Sequence, residues 1–206
     1  KSFKTPLRYP GGKSRACKKM EPFFPDLRDY DVYYEPFLGG GSVALHITKK
    51  YPKLKIVVND LYEPLYNFWL QLQVNGDYVH TELQQLKSRF PDRGSARGLF
   101  EDAKEKLYDL DITDKDRAVC FYIINKCSFS GLTESSSFSE QASDANFSMR
   151  GIDKLPVYSK LIEDWYITNV DYRHLLGDKE KTFIYLDPPY DIKDNLYGRK
   201  GSMHKK

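Results

Sequence analysis

Apolar and polar positions in the first 76 residues follow the order of a nucleotide-binding α/β unit. Residues 31–37 (DVYYEPF) predict a buried strand that leads into the glycine run Gly39–Gly41. Residues 55–60 (KIVVND) predict a second strand that ends on the carboxylate of Asp60. Helices are predicted after the two strands, at residues 42–50 and 61–74. Strand, glycine turn, helix, strand and acid in this order indicate a βαβ unit.

The apolar pattern changes in the middle of the chain. Residues 77–126 predict charged helical segments without strands, and residues 128–148 form a serine-rich, polar stretch that is typical of functional or mobile segments. The α/β pattern then resumes with a helix near 157–163 and strands near 165–170 and 182–187. We therefore predict a catalytic domain formed by residues 1–76 and 156–206, with a mostly helical insertion at residues 77–155.

The predicted sheet is small for this fold class. A doubly wound sheet needs roughly five to seven strands, whereas the pattern predicts about four and the sequence ends soon after Tyr190. The sequence alone therefore leads us to expect that C-terminal strands of the sheet are missing.

Composition narrows the class of protein only slightly. The chain has 206 residues and a net charge of +3, which is compatible with a nucleic-acid partner but too weak to establish one. Its three cysteines, Cys17, Cys120 and Cys127, lack metal-ligand spacing, so we expect no metal and a reducing cytoplasm. No apolar run approaches the roughly 18 residues that would span a membrane, so we expect no membrane association.

The segment Asp187-Pro188-Pro189-Tyr190 carries the most specific chemistry. Two consecutive prolines donate no backbone hydrogen bonds, so the preceding apolar strand must end there. The Asp187 carboxylate and the Pro188 carbonyl then offer two acceptors, which suit the two N–H donors of an exocyclic amino group. The Tyr190 ring offers a flat face for stacking on a base.

The glycine run and Asp60 suggest a second ligand at the same edge. Glycines after a strand let the backbone approach a ligand closely. A carboxylate after the next strand can accept both hydroxyls of a ribose, as in any adenosine-containing ligand. Each feature also has an ordinary alternative, because the glycines can form a plain tight turn and Asp60 can cap the following helix.

Four segments together resemble one enzyme family. Residues 6–13 (PLRYPGGK), 35–42 (EPFLGGGS), 58–60 (VND) and 187–190 (DPPY) match, in order and over nearly the whole chain, the Dam-like or D12 class of DNA adenine-N6 methyltransferases. The resemblance implies a Rossmann-like, S-adenosylmethionine-dependent methyltransferase sheet with an inserted DNA-recognition domain. It also implies S-adenosylmethionine as methyl donor and a flipped adenine in a specific duplex DNA sequence as acceptor.

The resemblance assigns roles to individual residues. Tyr9 and Lys13 would contact the methionine end of the donor, Asp60 its ribose and Asp171 its adenine amino group. The full set implied to bind the donor is Tyr9, Lys13, Glu35, Phe37, Gly39, Gly41, Asp60, Asp171 and Asp187. The residues implied to hold the target base and direct its amine at the methyl group are Asp187, Pro188 and Tyr190.

Residues 125–132 (NKCSFSGL) are similar to the family's segment before its DNA-contacting hairpin. Lys126 and Arg150 are candidates for phosphate contacts. The candidates for groove or orphan-base contacts are Asn125, Ser130 and Asn146. The family's continuation is replaced by Thr133–Ser137 and residues 146–150 (NFSMR), so we assign no target sequence.

Several alternatives stay open from the sequence alone. Cytosine-N4 methyltransferases more often have Ser in place of Asp187, and protein or RNA amide methyltransferases have Asn. An alternative from a different functional class is a DNA-binding fragment that does not catalyse methyl transfer. A nicotinamide dehydrogenase would share the glycine turn but gives no reason for residues 187–190. The sequence also leaves open whether a cognate restriction endonuclease accompanies the protein.

Overall fold

The computed structural model describes residues 4–9, 17–129, 136–177 and 181–188. Within them, four parallel strands form one sheet in the order β3-β2-β1-β4. The strands are β1 (Val32–Glu35), β2 (Lys55–Asn59), β3 (Tyr166–Thr168) and β4 (Thr182–Ile184). The chain moves outward from β1 through β2 to β3 and then returns to the other side of β1. The change of direction between β1 and β4 is the position where doubly wound sheets bind ligands, at the carboxyl ends of the strands.

Helices connect these strands and cover the sheet. They are α1 (Cys17–Met20), α2 (Ser42–Lys50), α3 (Glu63–Val74), α4 (Gly76–Arg89), α5 (Arg93–Lys106), α6 (Asp114–Cys127), α7 (Glu140–Asn146), α8 (Met149–Ile152) and α9 (Leu155–Leu161). Short 3-10 turns occur at Glu21–Phe23, Leu27–Asp29 and Tyr172–His174. Within the described ranges, no helix is long and apolar enough to cross a membrane. The predicted α/β class is confirmed.

Helix α6 lies in the middle of the core, which the prediction of charged helical segments at 77–126 did not anticipate. Its first turn is charged, and Arg117 forms a two-bond ion pair with Glu63 at 2.7 and 3.0 Å. From Ala118 to Cys127 every residue is buried. Phe121 packs against Phe68 of α3 with ring centroids 5.8 Å apart. One continuous core therefore crosses the predicted domain boundary, and the division into two domains stays a prediction.

The serine-rich stretch contains regular structure in its described part. Ser128 and Phe138 form an antiparallel bridge, and α7 begins at a Ser139 cap whose hydroxyl accepts from the N–H of Ala142. Phe147, 1% exposed, lies in the core, and Phe138 packs on Phe100 with centroids 5.6 Å apart. Phe138 and Phe147 anchor the stretch, although the surrounding composition is polar.

Candidate active site

The carboxyl ends of the four strands bring four predicted acids to one edge of the sheet. Glu35 is the last residue of β1, and Asp60 directly follows β2. Asp171 follows β3 and Asp187 follows β4 within three residues of each strand's end. Because the strands are parallel, their carboxyl ends meet at the same edge. The predicted donor-binding and catalytic acids therefore share one edge.

The glycine turn after β1 is packed on both sides by aromatic rings. Gly39 and Gly41 have φ angles of +53° and +73°, which favour glycine. A β-carbon on Gly39 would lie 2.8 Å from Cε1 of Tyr9, and one on Gly41 would lie 2.7 Å from Cζ2 of Trp69. Trp69 also donates from Nε1 to the Gly39 carbonyl at 3.1 Å. Sequence reasoning identified Tyr9 through the family motif, but nothing in the pattern pointed to Trp69.

Asp60 ties the glycine turn to the start of α3. Its side chain is buried, with Oδ2 accepting from the Gly39 N–H and Oδ1 from the Tyr62 N–H, both at 3.0 Å. Burial raises the pKa of Asp60 to about 6, against the lowering effect of these two bonds. The ordinary alternative, a carboxylate that caps the next helix, is wrong in this form, because Asp60 bonds the N–H of Tyr62 before α3 and no described side chain caps that helix. Each oxygen keeps a second lone pair, so the ribose contact stays a prediction.

Glu35 is a buried acid whose proton is strongly held. The hydroxyl of Tyr33 donates to its Oε2 at 2.8 Å, and the side chain is 3% exposed. Burial and, to a smaller extent, the nearby charges of Asp187 and Asp60 raise the pKa of Glu35 to about 8, whereas the Tyr33 bond opposes the shift. At neutral pH the Glu35 carboxyl therefore carries a proton. It is uncharged and adds no negative charge near Asp187.

Asn59 holds the ends of three strands together, a role that sequence reasoning missed. Its Nδ2 donates to the carbonyls of Pro36, after β1, and Val170, after β3, at 3.1 and 2.9 Å. Its Oδ1 accepts from the Val170 N–H at 3.0 Å and from the Thr168 hydroxyl at 2.8 Å. Both polar atoms of the Asn59 side chain bond groups of the protein itself, so Asn59 fixes the geometry of this sheet edge. The only sequence signal for this role was an asparagine at the end of an apolar strand, next to Asp60.

Phe37 and Asp171 lie together at the β3 side of the edge. The Phe37 ring is 5.1 Å from the ring of Tyr172, centroid to centroid. Asp171 accepts from the Arg173 N–H at 3.0 Å and from its guanidinium at 2.9 and 2.6 Å. These bonds hold the pKa of Asp171 well below its usual range. The partly exposed apolar side chains on this side are Leu61, Val170 and Tyr172.

The predicted DNA-contacting residues do not share one surface. Arg150 is exposed on α8, and the half-buried Asn146 ends α7 with its Nδ2 bonded to the Ala142 carbonyl at 2.7 Å. Asn125, by contrast, is 1% exposed. Lys126 is also buried, with its ammonium 5.2 Å above the Tyr122 ring. Burial, together with the nearby Arg8 charge, lowers the pKa of Lys126 to about 8.

Three predicted site residues lie outside the described residues, namely Lys13, Ser130 and Tyr190. Of the catalytic segment, Asp187 is described as half-buried and Pro188 as exposed. Among the described residues, no group of three or more His, Cys, Asp or Glu side chains could hold a metal ion. The described side chains at this edge offer hydrogen-bond acceptors and negative charge.

Comparison with known proteins gives a family for this arrangement. The sequence model of the D12 class N6 adenine-specific DNA methyltransferases matches residues 9–205. The chain is 26% identical over 211 residues to the type II methyltransferase M.MjaIII of Methanocaldococcus jannaschii, covering 89% of this chain and 68% of that protein. It is 24% identical over 218 residues to the modification methylase StsI of Streptococcus sanguinis, covering 98% of this chain. This chain spans 31% of that second relative's length.

Proposed function

The chain belongs to the D12 class of N6 adenine-specific DNA methyltransferases, and we propose that it uses S-adenosylmethionine to methylate a flipped adenine in a specific duplex sequence. The observation that carries this proposal is the arrangement of the sheet edge. Asp187 and Pro188 follow β4 directly beside β1, whose end carries Glu35 and the glycine turn. A donor at the glycine turn and an amine at Asp187 would therefore be neighbours.

The residues at this edge fit the methyl donor. Asp60 would accept the ribose hydroxyls with its remaining lone pairs, since its backbone bonds already hold the carboxylate in place. Asp171 would accept the adenine amino group, with Phe37 beside the ring. Glu35, Gly39 and Gly41 would face the methionine and sugar portion, with Tyr9 and Lys13 at its carboxylate end. The bound donor supplies a sulfonium methyl group that is already activated for displacement.

Asp187 and Pro188 would position the acceptor amine. The carboxylate and the carbonyl accept one N–H each, which localises the nitrogen lone pair and directs it at the methyl group. The gain comes from orientation and electrostatics. Because the neighbouring Glu35 keeps its proton at neutral pH, it adds no second negative charge at the end of β1, and the Asp187 carboxylate would interact with the positive charge that develops on the amine. Tyr190 would stack on the base.

The DNA contacts of this proposal come from the segment after α6. Lys126 and Arg150 would meet phosphates, and Ser130 and Asn146 would meet base edges or the orphan base. Lys126 and Arg150 support the proposal by their charge, and Arg150 also by its exposure. The burial of Asn125 favours a different role for that residue.

Asp187→Ala tests the proposal. We expect methyl transfer from radiolabelled S-adenosylmethionine to fall by about 100-fold or more, because an electrostatic group at the reacting centre is removed. Donor affinity, measured by calorimetry, should stay within a few-fold because the glycine turn and Asp60 are intact. Asp153→Ala is the matched control, since Asp153 is an exposed aspartate that pairs with His80 away from the sheet edge.

Near-normal methylation by Asp187→Ala would refute the proposed mechanism. Hydrolysis of the methylated DNA to nucleosides identifies the product independently. We expect N6-methyladenine, and N4-methylcytosine instead would refute the proposed acceptor. Donor binding by the wild-type protein without any methyl transfer would favour a DNA-binding module.

A further inference from the structure

Asn125 and Arg8 join two segments that are 117 residues apart in the chain. The N–H of Arg8 donates to Oδ1 of Asn125 at 2.9 Å, and Nδ2 of Asn125 donates to the Arg8 carbonyl at 2.7 Å. The two bonds close a ring between the side-chain amide of Asn125 and the backbone N–H and carbonyl of Arg8. Asn125 is 1% exposed, so it cannot contact a DNA base in this arrangement. We call this pair the Arg8–Asn125 clamp.

The Arg8 side chain extends the clamp to the end of α6. Its Nη1 donates to the Ser128 carbonyl at 2.8 Å, and its Nη2 donates to the Phe129 carbonyl at 3.3 Å. The last carbonyls of a helix have no partner within the helix, and a cation there also complements the helix dipole. Arg8 therefore holds the chain where it leaves α6.

That point is the base of a loop. The Phe129 N–H donates to the Ser137 carbonyl at 3.0 Å, and the Ser139 N–H donates to the Cys127 carbonyl at 2.9 Å. These bonds close the segment from 128 to 138, within the region predicted to contact DNA. Phe129, which lies at the base of this loop, is 78% exposed. Arg8 thus fixes the positions of Ser128 and Phe129 at the base of this loop.

The residue after Arg8 packs on the glycine turn. A β-carbon on Gly39 or Gly40 would lie 2.8 or 2.9 Å from the Tyr9 side chain, so the ring rests directly on the turn backbone. Tyr9 therefore contacts the donor-binding turn, and the adjacent Arg8 contacts the base of the loop. These two adjacent residues connect the glycine turn directly to the base of the loop.

We infer that Arg8 and Asn125 are positioning residues that couple donor binding to DNA binding. A donor that orders the glycine turn and Tyr9 orders the clamp and the base of the loop, and by reciprocity DNA strengthens donor binding. This inference rests on the proposed function, because it takes the ligand of the turn to be the methyl donor and the ligand of the loop to be DNA.

The test measures coupling in the Asn125→Ala variant. Affinity is measured for a duplex that contains the sequence on which the enzyme acts, with and without saturating S-adenosylhomocysteine. This ligand has no methyl group to transfer. We expect this ligand to tighten DNA binding by about fivefold or more in the wild type, within the usual range for coupled sites. In Asn125→Ala the factor should fall to within about twofold of unity. Asn125→Asp keeps the acceptor for the Arg8 N–H and should retain part of the coupling.

Asn67→Ala is the matched control. Asn67 is 3% exposed and donates to the Asp114 carbonyl at 2.8 Å, at the opposite end of the same helix α6. The control also loses a buried amide bond and is expected to lower the melting temperature, but it should keep the wild-type coupling factor. Equal coupling in Asn125→Ala and the wild type would overturn the inference and leave a merely structural role.

The wild-type result separates the two proposals. Methylation of DNA without any effect of S-adenosylhomocysteine on DNA affinity would overturn the inference and leave the proposed function standing. Absence of both donor binding and methylation would overturn the proposed function itself, and the inference with it.

Discussion

Glu35→Gln tests the electrostatics at the centre of the site. Glu35 is buried at the end of β1, and its pKa is raised from the ordinary 4.5 to about 8. Glutamine has the same shape, cannot ionise, and can still bond the Tyr33 hydroxyl. The substitution therefore removes the titration and leaves the packing in place.

The direction of the pH effect follows from the raised pKa. The folded protein binds a proton at Glu35 more tightly than the unfolded chain, so the extra stability is full below about pH 4.5 and is lost as pH rises through 8. Between pH 5.5 and 7.5 this group alone lowers the free energy of unfolding by about 2–3 kcal/mol. Asp60, with a pKa raised to about 6, adds less than about 1 kcal/mol over the same interval.

Urea unfolding at pH 5.5 and 7.5 without donor measures the effect. We expect the wild type to lose stability over this interval and Glu35→Gln to lose only the smaller part from Asp60. Glu101→Gln, which changes an exposed glutamate on α5, should keep the wild-type dependence. Equal pH dependence in the wild type and Glu35→Gln would show that the Glu35 carboxyl is ionised at neutral pH, which would refute the argument for its role beside Asp187.

Two further substitutions test the glycine turn and the buried lysine. Gly41→Ala should destabilise the protein by about 1–3 kcal/mol and change the tryptophan fluorescence, because its β-carbon would meet Trp69 at 2.7 Å and φ is +73°. Gly98→Ala, in open space on α5, should instead stabilise it by about 0.5–1 kcal/mol. Lys126→Met should raise the melting temperature more at pH 7 than at pH 10, since the cost of burying the charge is full below about pH 8 and declines as pH rises toward 10.5. It should also reduce the salt slope of DNA binding by about 0.9, and an unchanged slope would rule out the proposed phosphate contact.

The elements of the fold could be predicted because hydrophobic periodicity is a local signal. The predicted helix at 42–50 coincides with α2, and β2 ends one residue earlier than expected. The burial of α6 was not predicted, because its first turn reads Asp114-Lys115-Asp116-Arg117 and its charges obscure the apolar half. Arg117 pairs with Glu63 of α3 and with Asp114 of its own turn, so its charge is compensated beside the core.

The site could be predicted only as far as topology determines it. Strand-terminal acids must meet at one edge of a parallel sheet, so the neighbourhood of Asp60 and Asp187 follows from the motifs. The contacts that shape the edge join positions far apart in the chain. Trp69 and Gly39 are separated by 30 residues, and Asn59 and Val170 by 111. No periodicity records such pairs, because each depends on how the elements pack.

Asp60 and Asn125 show why residue type alone does not separate a ligand contact from an internal support. An aspartate after a strand suits a ribose, and an asparagine near a recognition loop suits a base, yet both side chains bond backbone groups of this chain. For Asp60 the two uses are compatible, because two backbone N–H bonds fix the carboxylate and leave one lone pair on each oxygen for a ligand. For Asn125 they exclude each other, since a side chain that is 1% exposed has no face left for DNA. In the coupling that we infer, its contribution to recognition passes through Arg8.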